Sequence, residues 1–291
     1  MTPYMLTFDI EEWFQVENLR PVFPPESWEA MPRRSVPSTR LVLDLLAKHS
    51  IQATFFVLGW VAEREPDLVR EIVGRGHEVA CHGYGHVMPM KLTIEQFQED
   101  VCRAREVLEL TSGQEVVGYR APSFSIDRQR LRALNQWGFL YDSSYHPFGL
   151  HDRYGSVGDL GRPVVPGVYQ LEGEMIEVAL PVERMGGLPL PVSGGGYFRL
   201  YPGMVFRRLV RRAVARQGHY ELYLHSWEFD PKQPRAWAAG ATAMFRHYNN
   251  LSRTLPRLRQ LIGMLADMGG QFITIKDFAR EVRKRSIPGI I

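Results

Sequence analysis

The sequence predicts an α/β fold, a parallel β-sheet covered by crossover helices, built either as an open doubly wound sheet or as a (β/α) barrel. Three observations carry this expectation. Short apolar, β-rich runs alternate with helix-period segments along most of the 291 residues. Acids, histidines and an arginine recur just after the strand-like runs, where the loops of a parallel sheet gather on one face. The chain is 45% hydrophobic and 11% aromatic, enough for a sizeable core in one large domain or two ordinary ones.

The first strand is "YMLTFDI", followed by a Pro-rich loop, "RPVFPPESWEAMPRRSVP". A helix is expected to start at Ser38 in "STRLVLDLLAKHS", with a serine cap, apolar positions at Leu41, Leu43, Leu45 and Leu46, and a basic last turn. "IQATFFVLG" reads as a buried strand, "EPDLVREIVGRG" as a helix stopped by glycine, and "HEVACHGYGH" as a third strand breaking into a glycine-rich loop. "TIEQFQEDVCRAREVLELTSG" predicts a long amphipathic helix capped by Thr93. "VVGYRAP", "DRQRLRALNQWG" and "FLYDSSY" continue as strand, helix and strand. From Gly149 to Pro202 the texture turns to Gly and Pro with short strands, including "MIEVALPV" and "SGGGYFRLYP", an insertion or lid on the same domain. The helix "YPGMVFRRLVRRAVARQ", the strand "YELYLHSWEFD", a helix from about Ser252 to Met268 and a closing strand in "QFITIKDFARE" resume the alternation.

Charge and cysteine usage narrow the class. Thirty-five basic against 32 acidic residues, net +3, are too balanced to imply a nucleic-acid partner. The basic cluster "RRLVRRAVAR", Arg207 to Arg216, reads as an amphipathic helix with a solvated basic face; an anionic polymer or membrane surface is the minority reading. Cys81 and Cys102 make no disulfide framework or zinc ribbon, which points to a reducing compartment. No signal peptide or run of ~18 apolar residues is visible, so the mature chain is expected to start at or near Met1 in the cytoplasm, without a membrane span.

The candidate chemistry lies after the strands. "LTFDIEEWF" places Asp9, Glu11 and Glu12 behind the first strand, and His82 and His86 are spaced to converge on one metal. HxxxH alone is more often structural; an added carboxylate gives the donor set of a hydrolytic metal site with open positions. His225 ends a strand and reads equally as a buried, satisfied histidine. Arg120 in "YRAP" could hold an acid ionised or form a surface ion pair, and Asp142 in "DSSY" could simply cap its loop.

In order, "TFDIEE", "HGYGH", "RAPSF", "YDSSY" and "LYLHSWEFD" resemble the polysaccharide deacetylases, carbohydrate esterase family 4, also called the NodB-homology family. "GGGYFRLYP" and "LHSWEFDPKQPR" resemble the branch associated with exosortase-linked exopolysaccharide loci. The resemblance implies a distorted (β/α) barrel of about seven parallel strands forming one domain over residues 1–291, with core motifs in 5–230, an insertion at about 149–202 and an extension at about 231–291. It implies a divalent metal, usually zinc, with cobalt, manganese or nickel as alternatives. By position Asp9 matches the family's general base, His82 and His86 its metal histidines, Arg120 the partner of the base, His225 the general acid, Asp142 the residue that tunes or orients His225, and the backbone N–H near Ser123 the oxyanion donor. The usual pair of adjacent aspartates is absent here, since Ile10 follows Asp9. Strand alternation puts Glu11 on the side of Asp9 and makes it, rather than Glu12, the expected metal carboxylate.

The implied function is a hydrolase that removes acetyl groups from N-acetylhexosamine units of a polysaccharide or glycolipid precursor in exopolysaccharide biosynthesis. Its partners would be that glycan, a membrane-associated biosynthetic complex and a second copy in a homo-oligomer. Tyr145, Tyr197 and Trp227 are candidate sugar-stacking residues, although Trp227 reads at least as well as barrel packing; Trp13 and Phe14 are expected to pack the loop beside the pocket. The alternatives are an allantoinase-like hydrolase of cyclic amides and a noncatalytic glycan-binding protein.

Overall fold

The computed structural model describes residues 1–149 and 154–286. Residues 150–153 of the expected insertion and 287–291 of the expected extension lie outside the described residues. The elements run β1 (Pro3–Ile10), α1 (Ser35–Lys48), β2 (Thr54–Val57), α2 (Gly59–Arg64), α3 (Pro66–Gly74), β3 (Glu78–Cys81), α4 (Ile94–Ser112), β4 (Gly118–Tyr119), α5 (Arg128–Gln136) and β5 (Tyr141–Asp142). They continue through β6 (Val168–Gln170), β7 (Ile176–Val178), β8 (Val182–Met185), β9 (Leu188–Pro191), α6 (Gly195–Leu200), α7 (Gly203–Gln217), β10 (Tyr220–His225), α8 (Gly240–Tyr248), α9 (Thr254–Asp267), β11 (Gln271–Phe272) and α10 (Ile275–Ser286).

The main sheet has the order β10-β1-β2-β3-β4-β5-β7-β6. Its first seven members pair in parallel, as the family resemblance implies; β11 adds to β1 in parallel and β6 closes the far edge antiparallel to β7. β8 and β9 form a separate hairpin.

Alternation along β1 decides what the sheet encloses. Tyr4, Leu6, Phe8 and Ile10 join the core beneath the helices, with Phe55, Val57, Leu222 and Leu224. Met5 belongs to a second, inner cluster with Phe56, Ala80, Tyr141 and Ile176, plugged from one end by Ile275, Phe278, Ala279 and Val282 of α10. Thr7 and Asp9 follow Met5 on that inner face, so the interior passes from an apolar plug to a polar mouth. Register brings the chemistry to that mouth, with Asp9 opposite His225 on one side and Phe56 on the other.

Several local expectations need correction. α1 begins at Ser35 rather than Ser38, because its first N–H groups are capped from outside by Glu12 rather than by a serine within the helix: Arg34 N, Ser35 N and Ser35 Oγ donate to the Glu12 carboxylate at 2.7, 3.0 and 2.6 Å. Its buried stripe is Val42, Leu43, Leu45 and Leu46, while Leu41 faces solvent. "SGGGYFRLYP" forms the helix α6 rather than a strand. In "QFITIKDFARE" only Gln271–Phe272 is strand, because Thr274 Oγ1 accepts from Asp277 N and starts α10. Thr93 does cap α4, in a full capping box with Gln96. α7 has the expected amphipathic form, burying Phe206, Leu209, Val210, Ala213 and Val214. Both cysteines are free, Cys81 buried and Cys102 exposed.

Burial depresses His219, packed against Phe278, to about 4. Between the ordinary histidine value and about 4 the unfolded chain binds a proton that the folded chain refuses, so this group's contribution to stability is complete above the unfolded value and lost as pH falls. Urea unfolding of His219→Leu should therefore lose less stability than wild type between pH 7 and pH 5, by on the order of 1–2 kcal/mol. Parallel pH dependences in the two proteins would refute this.

Candidate active site

The three acids after β1 separate as strand alternation dictates. Asp9 and Glu11 face the mouth, while Glu12 turns away to cap α1. The Glu11 backbone is pinned to the end of β10: its N–H donates to Ser226 Oγ and its carbonyl accepts from the same hydroxyl, at 3.3 and 2.5 Å. Trp13 and Phe14 pack edge to face in the core, with Phe23 and Trp60, beside this turn.

Asp9 is oriented by Arg120, a fully buried guanidinium crossing the interior. Its Nη1 donates to Asp9 Oδ1 and Thr7 Oγ1, both at 2.8 Å, its Nε to the Ser143 carbonyl at 3.0 Å, and its Nη2 to Ser143 Oγ and Glu221. These bonds fix Oδ1 and leave Oδ2 toward the histidines, 4.0 Å from His82 Nε2 and 3.8 Å from His225 Nε2. The Arg120 carbonyl accepts from His82 Nδ1 at 2.8 Å, so the free Nε2 of His82 also points inward. Burial holds His82 down to about 4 against the charge of Asp9, which keeps the ring neutral.

His86 reaches the same point by a strained loop. Gly83 at φ 73 carries no Cβ, which would lie 2.7 Å from the Asp100 carboxylate; that carboxylate accepts from Tyr84 N and Gly85 N at 3.0 and 3.4 Å. His86 sits at φ 51 and its carbonyl accepts from Arg20 Nη2 at 2.6 Å. Ser123 and Phe124, at φ 56 and 55, line the same cavity, so three non-glycine residues in left-handed conformations converge here.

Glu11, His82 and His86 each offer a donor atom within 4.8 Å of the other two, and all three are buried. Glu11 Oε2 and His86 Nε2 lie 2.8 Å apart, so the carboxylate and the ring already meet at one point. Burial would raise the Glu11 carboxyl, but the charge and hydrogen bond of His86 and the charge of His225 hold it well below the usual carboxylate range. A neutral imidazole, a second imidazole and an ionised carboxylate aimed at a common point fit a divalent cation.

His225 faces the cluster from β10, its Nε2 3.8 Å from Glu11 Oε1. Its orienting partner is Glu228, three residues on, rather than Asp142. Glu228 Oε1 accepts from His225 Nδ1 at 2.7 Å and from His225 N at 3.1 Å, and Glu228 Oε2 accepts from Arg199 Nε at 2.6 Å. Burial opposes the charged form of His225, but the Glu228 hydrogen bond and the charges of Glu11, Glu228 and Asp9 raise it to about 9. The Asp142 carboxyl is spent elsewhere, accepting from Ser144 N and Oγ at 2.9 and 2.8 Å and hydrogen-bonded to Glu177. The HxxE spacing in "HSWE" was the signal available in the sequence; that Arg199 would join it was not readable from spacing.

The aromatic expectations also divide. The cavity, about 360 Å³, is lined by Tyr197 as well as Phe124, Tyr154 and Phe245. Trp227 borders it with its ring already engaged, stacked with His225 at 5.2 Å and with His247 at 4.1 Å, and its Nε1 donates to Glu11 Oε1 at 2.9 Å. Tyr145 is not among the lining residues; its N–H donates to Glu177 Oε1 and its ring meets Tyr169.

Residues 26–141 match the polysaccharide deacetylase family model. This segment is similar to a polysaccharide deacetylase domain. Residues 143–279 match a second model, described as a domain of unknown function, DUF3473. A Helicobacter pylori peptidoglycan deacetylase is 31% identical over 118 residues, 40% of this chain and 40% of that protein. A Sinorhizobium fredii chitooligosaccharide deacetylase is 41% identical over 81 residues, 28% of this chain and 27% of its own. The chain thus spans well under half the length of these curated relatives. A Mycobacterium smegmatis chain assigned as a polysaccharide deacetylase superposes with a TM-score of 0.63 over 99% of this chain and 92% of its own, at 22% identity, a likeness of fold. No helix among the described residues is long and apolar enough to cross a membrane.

The division between Glu11 and Glu12 gives a direct test. After incubation with zinc and gel filtration, wild type and Glu12→Gln should retain the metal, whereas Glu11→Gln and His82→Ala should bind it at least about 10-fold more weakly. Glu12→Gln should instead lower unfolding stability by about 1 kcal/mol through the weakened cap of α1. Metal loss on Glu12→Gln with retention on Glu11→Gln would reverse the assignment.

Proposed function

We propose that this protein is a metal-dependent N-deacetylase acting on N-acetylhexosamine units of a glycan or glycolipid precursor. One observation carries the reading: Asp9 Oδ2 and His225 Nε2, a carboxylate and an imidazole 3.8 Å apart, face the same cavity as the Glu11, His82 and His86 donors. The curated names of the relatives, which act on peptidoglycan and chitooligosaccharides, support the substrate class.

Glu11, His82 and His86 would hold the cation, zinc in our reading, which when bound supplies Lewis-acid polarisation of the acetyl carbonyl and a lowered water pKa. Asp9, fixed through Oδ1 by Arg120, takes the proton of the attacking water on Oδ2. The water oxygen bonds to the carbonyl carbon, the C–N bond breaks, and His225 passes its Nε2 proton to the departing amine nitrogen. The products are acetate and a free hexosamine amine. The left-handed turn at Ser123 borders this point, and we assign its N–H to the oxyanion.

The finer reading places this activity in exopolysaccharide biosynthesis, in the cytoplasm. The segments "GGGYFRLYP" and "LHSWEFDPKQPR", which resemble that branch, are its support.

Acetate release from N-acetylglucosamine oligomers should be measurable for wild type and should fall on the order of 10²- to 10⁴-fold in Asp9→Asn. Wild type that releases no acetate but opens allantoin would establish cyclic-amide hydrolysis instead. Sugar binding equal in wild type and Asp9→Asn, with no acetate from either, would leave a noncatalytic binder.

A further inference from the structure

The residues of the site fall on both sides of the boundary between the two family matches. His82, His86, Arg120 and Ser123 belong to residues 26–141, whereas His225, Glu228 and Arg199 belong to 143–279. We propose that Glu228 and Arg199 form a positioning pair that holds the Nδ1 proton of His225 and sets the direction of its ring, so that the second segment contributes half of the proton-transfer machinery. The inference rests on the deacetylase reading for its kinetic consequence, but its geometry stands apart from that reading.

The pair is built at close quarters. Glu228 is fully buried and its two oxygens are divided, Oε1 facing the ring and main-chain N–H of His225 and Oε2 facing Arg199. With Oε1 accepting from Nδ1, the second ring nitrogen is the one directed at Asp9 and Glu11. Arg199 is buried as well, and its remaining donors are spent on one helix end: Nη1 on the carbonyls of His247 and Asn249 at 3.1 and 2.5 Å, Nη2 on that of Arg246 at 3.1 Å. These carbonyls close α8, where a cation meets the negative end of the helix dipole. The carbonyl of Arg199 in turn accepts from Asn250 Nδ2 and Arg257 Nη1, both at 3.0 Å. Arg199 thus has almost no freedom to leave Glu228.

The glycines preceding Arg199 are a condition of this arrangement. A Cβ on Gly195 would lie 1.9 Å from Glu228 Oε1, and one on Gly194 would lie 2.2 Å from the Tyr223 hydroxyl. Only a backbone without side chains can pass this close to the carboxylate and still begin the helix that delivers Arg199. The Gly-rich run and the HxxE spacing are therefore two halves of one device.

The test compares Glu228→Gln with Asp142→Asn in the full chain. In Glu228→Gln the amide oxygen should stay on Arg199, turning the NH2 group toward Nδ1 and leaving His225 protonated on Nε2 alone. Nitrogen-15 NMR of histidine-labelled, zinc-free protein reads this without any reaction: the Nδ1-protonated signal of His225 should vanish in Glu228→Gln and persist in Asp142→Asn. With N-acetylglucosamine oligomers, Glu228→Gln should lose about 10²-fold in kcat with KM little changed, Glu228→Asp should recover part of the loss, and Asp142→Asn should stay within a few-fold of wild type. Persistence of the Nδ1-protonated signal in Glu228→Gln overturns the proposal, as does its loss in Asp142→Asn alone. If the signal moves as expected but wild type releases no acetate, the positioning pair stands and the deacetylase reading is the one that fails.

Discussion

A single desolvated cation, Arg120, organises the interior. Its guanidinium is wholly removed from water and is tolerated because donors on every side find partners: Asp9, Glu221, Thr7 and both oxygens of Ser143. Breaking such a buried pair by removing one member costs roughly 3–5 kcal/mol, since the survivor keeps its charge without compensation. Arg120 acts at both ends of the residue, its side chain aiming Asp9 and its carbonyl aiming His82. A site assembled from four separate strands thus has one internal reference point.

That reference point depends on a change of character along the interior. The strands are parallel and short, and α10 fills the end away from the site with Ile275 and Phe278. The buried Glu78 carboxyl beside this plug is accommodated by Thr54 Oγ1, the Tyr141 hydroxyl and Lys276 N, which donate to it at 2.7, 2.8 and 3.1 Å. Glu221 of the neighbouring β10 stands in register with Met5, and Thr7 and then Asp9 follow Met5 along β1. Water is excluded from below by packing, while the mouth stays polar and bordered by aromatic rings. The electrostatics inside the mouth act in a low-dielectric surround, where pairs such as Glu11 with His86 have strong influence on each other.

Much of this was legible in the sequence, and the reasons differ by residue. Asp9, His82, His86 and His225 were found because they follow strand-like runs whose ends must gather on one rim. Glu11 over Glu12 followed from the period of a strand, which the turn after β1 preserves for one more residue. What escaped was long-range: the capping of α1 by Glu12 spans more than twenty residues, and the Glu228–Arg199 contact spans 29. Local pattern likewise could not tell that "SGGGYFRLYP" is a helix, because its glycines answer to Tyr223 and Glu228 across the fold. Trp227 was ambiguous for the same reason, since only the fold stacks two histidines on its ring.

The position of Trp227 has an optical consequence. Its indole stacks with the imidazoles of His225 and His247 and its N–H rests on the carboxylate of Glu11, so the chromophore touches the histidine that changes charge at the mouth of the cavity. A charged imidazole against an indole accepts excited-state electron density and darkens its emission. The chain therefore carries an intrinsic fluorophore at the heart of the cavity, separable from the other tryptophans by the difference between wild type and Trp227→Phe, whose brightness follows the ionic state of its surroundings without any attached dye.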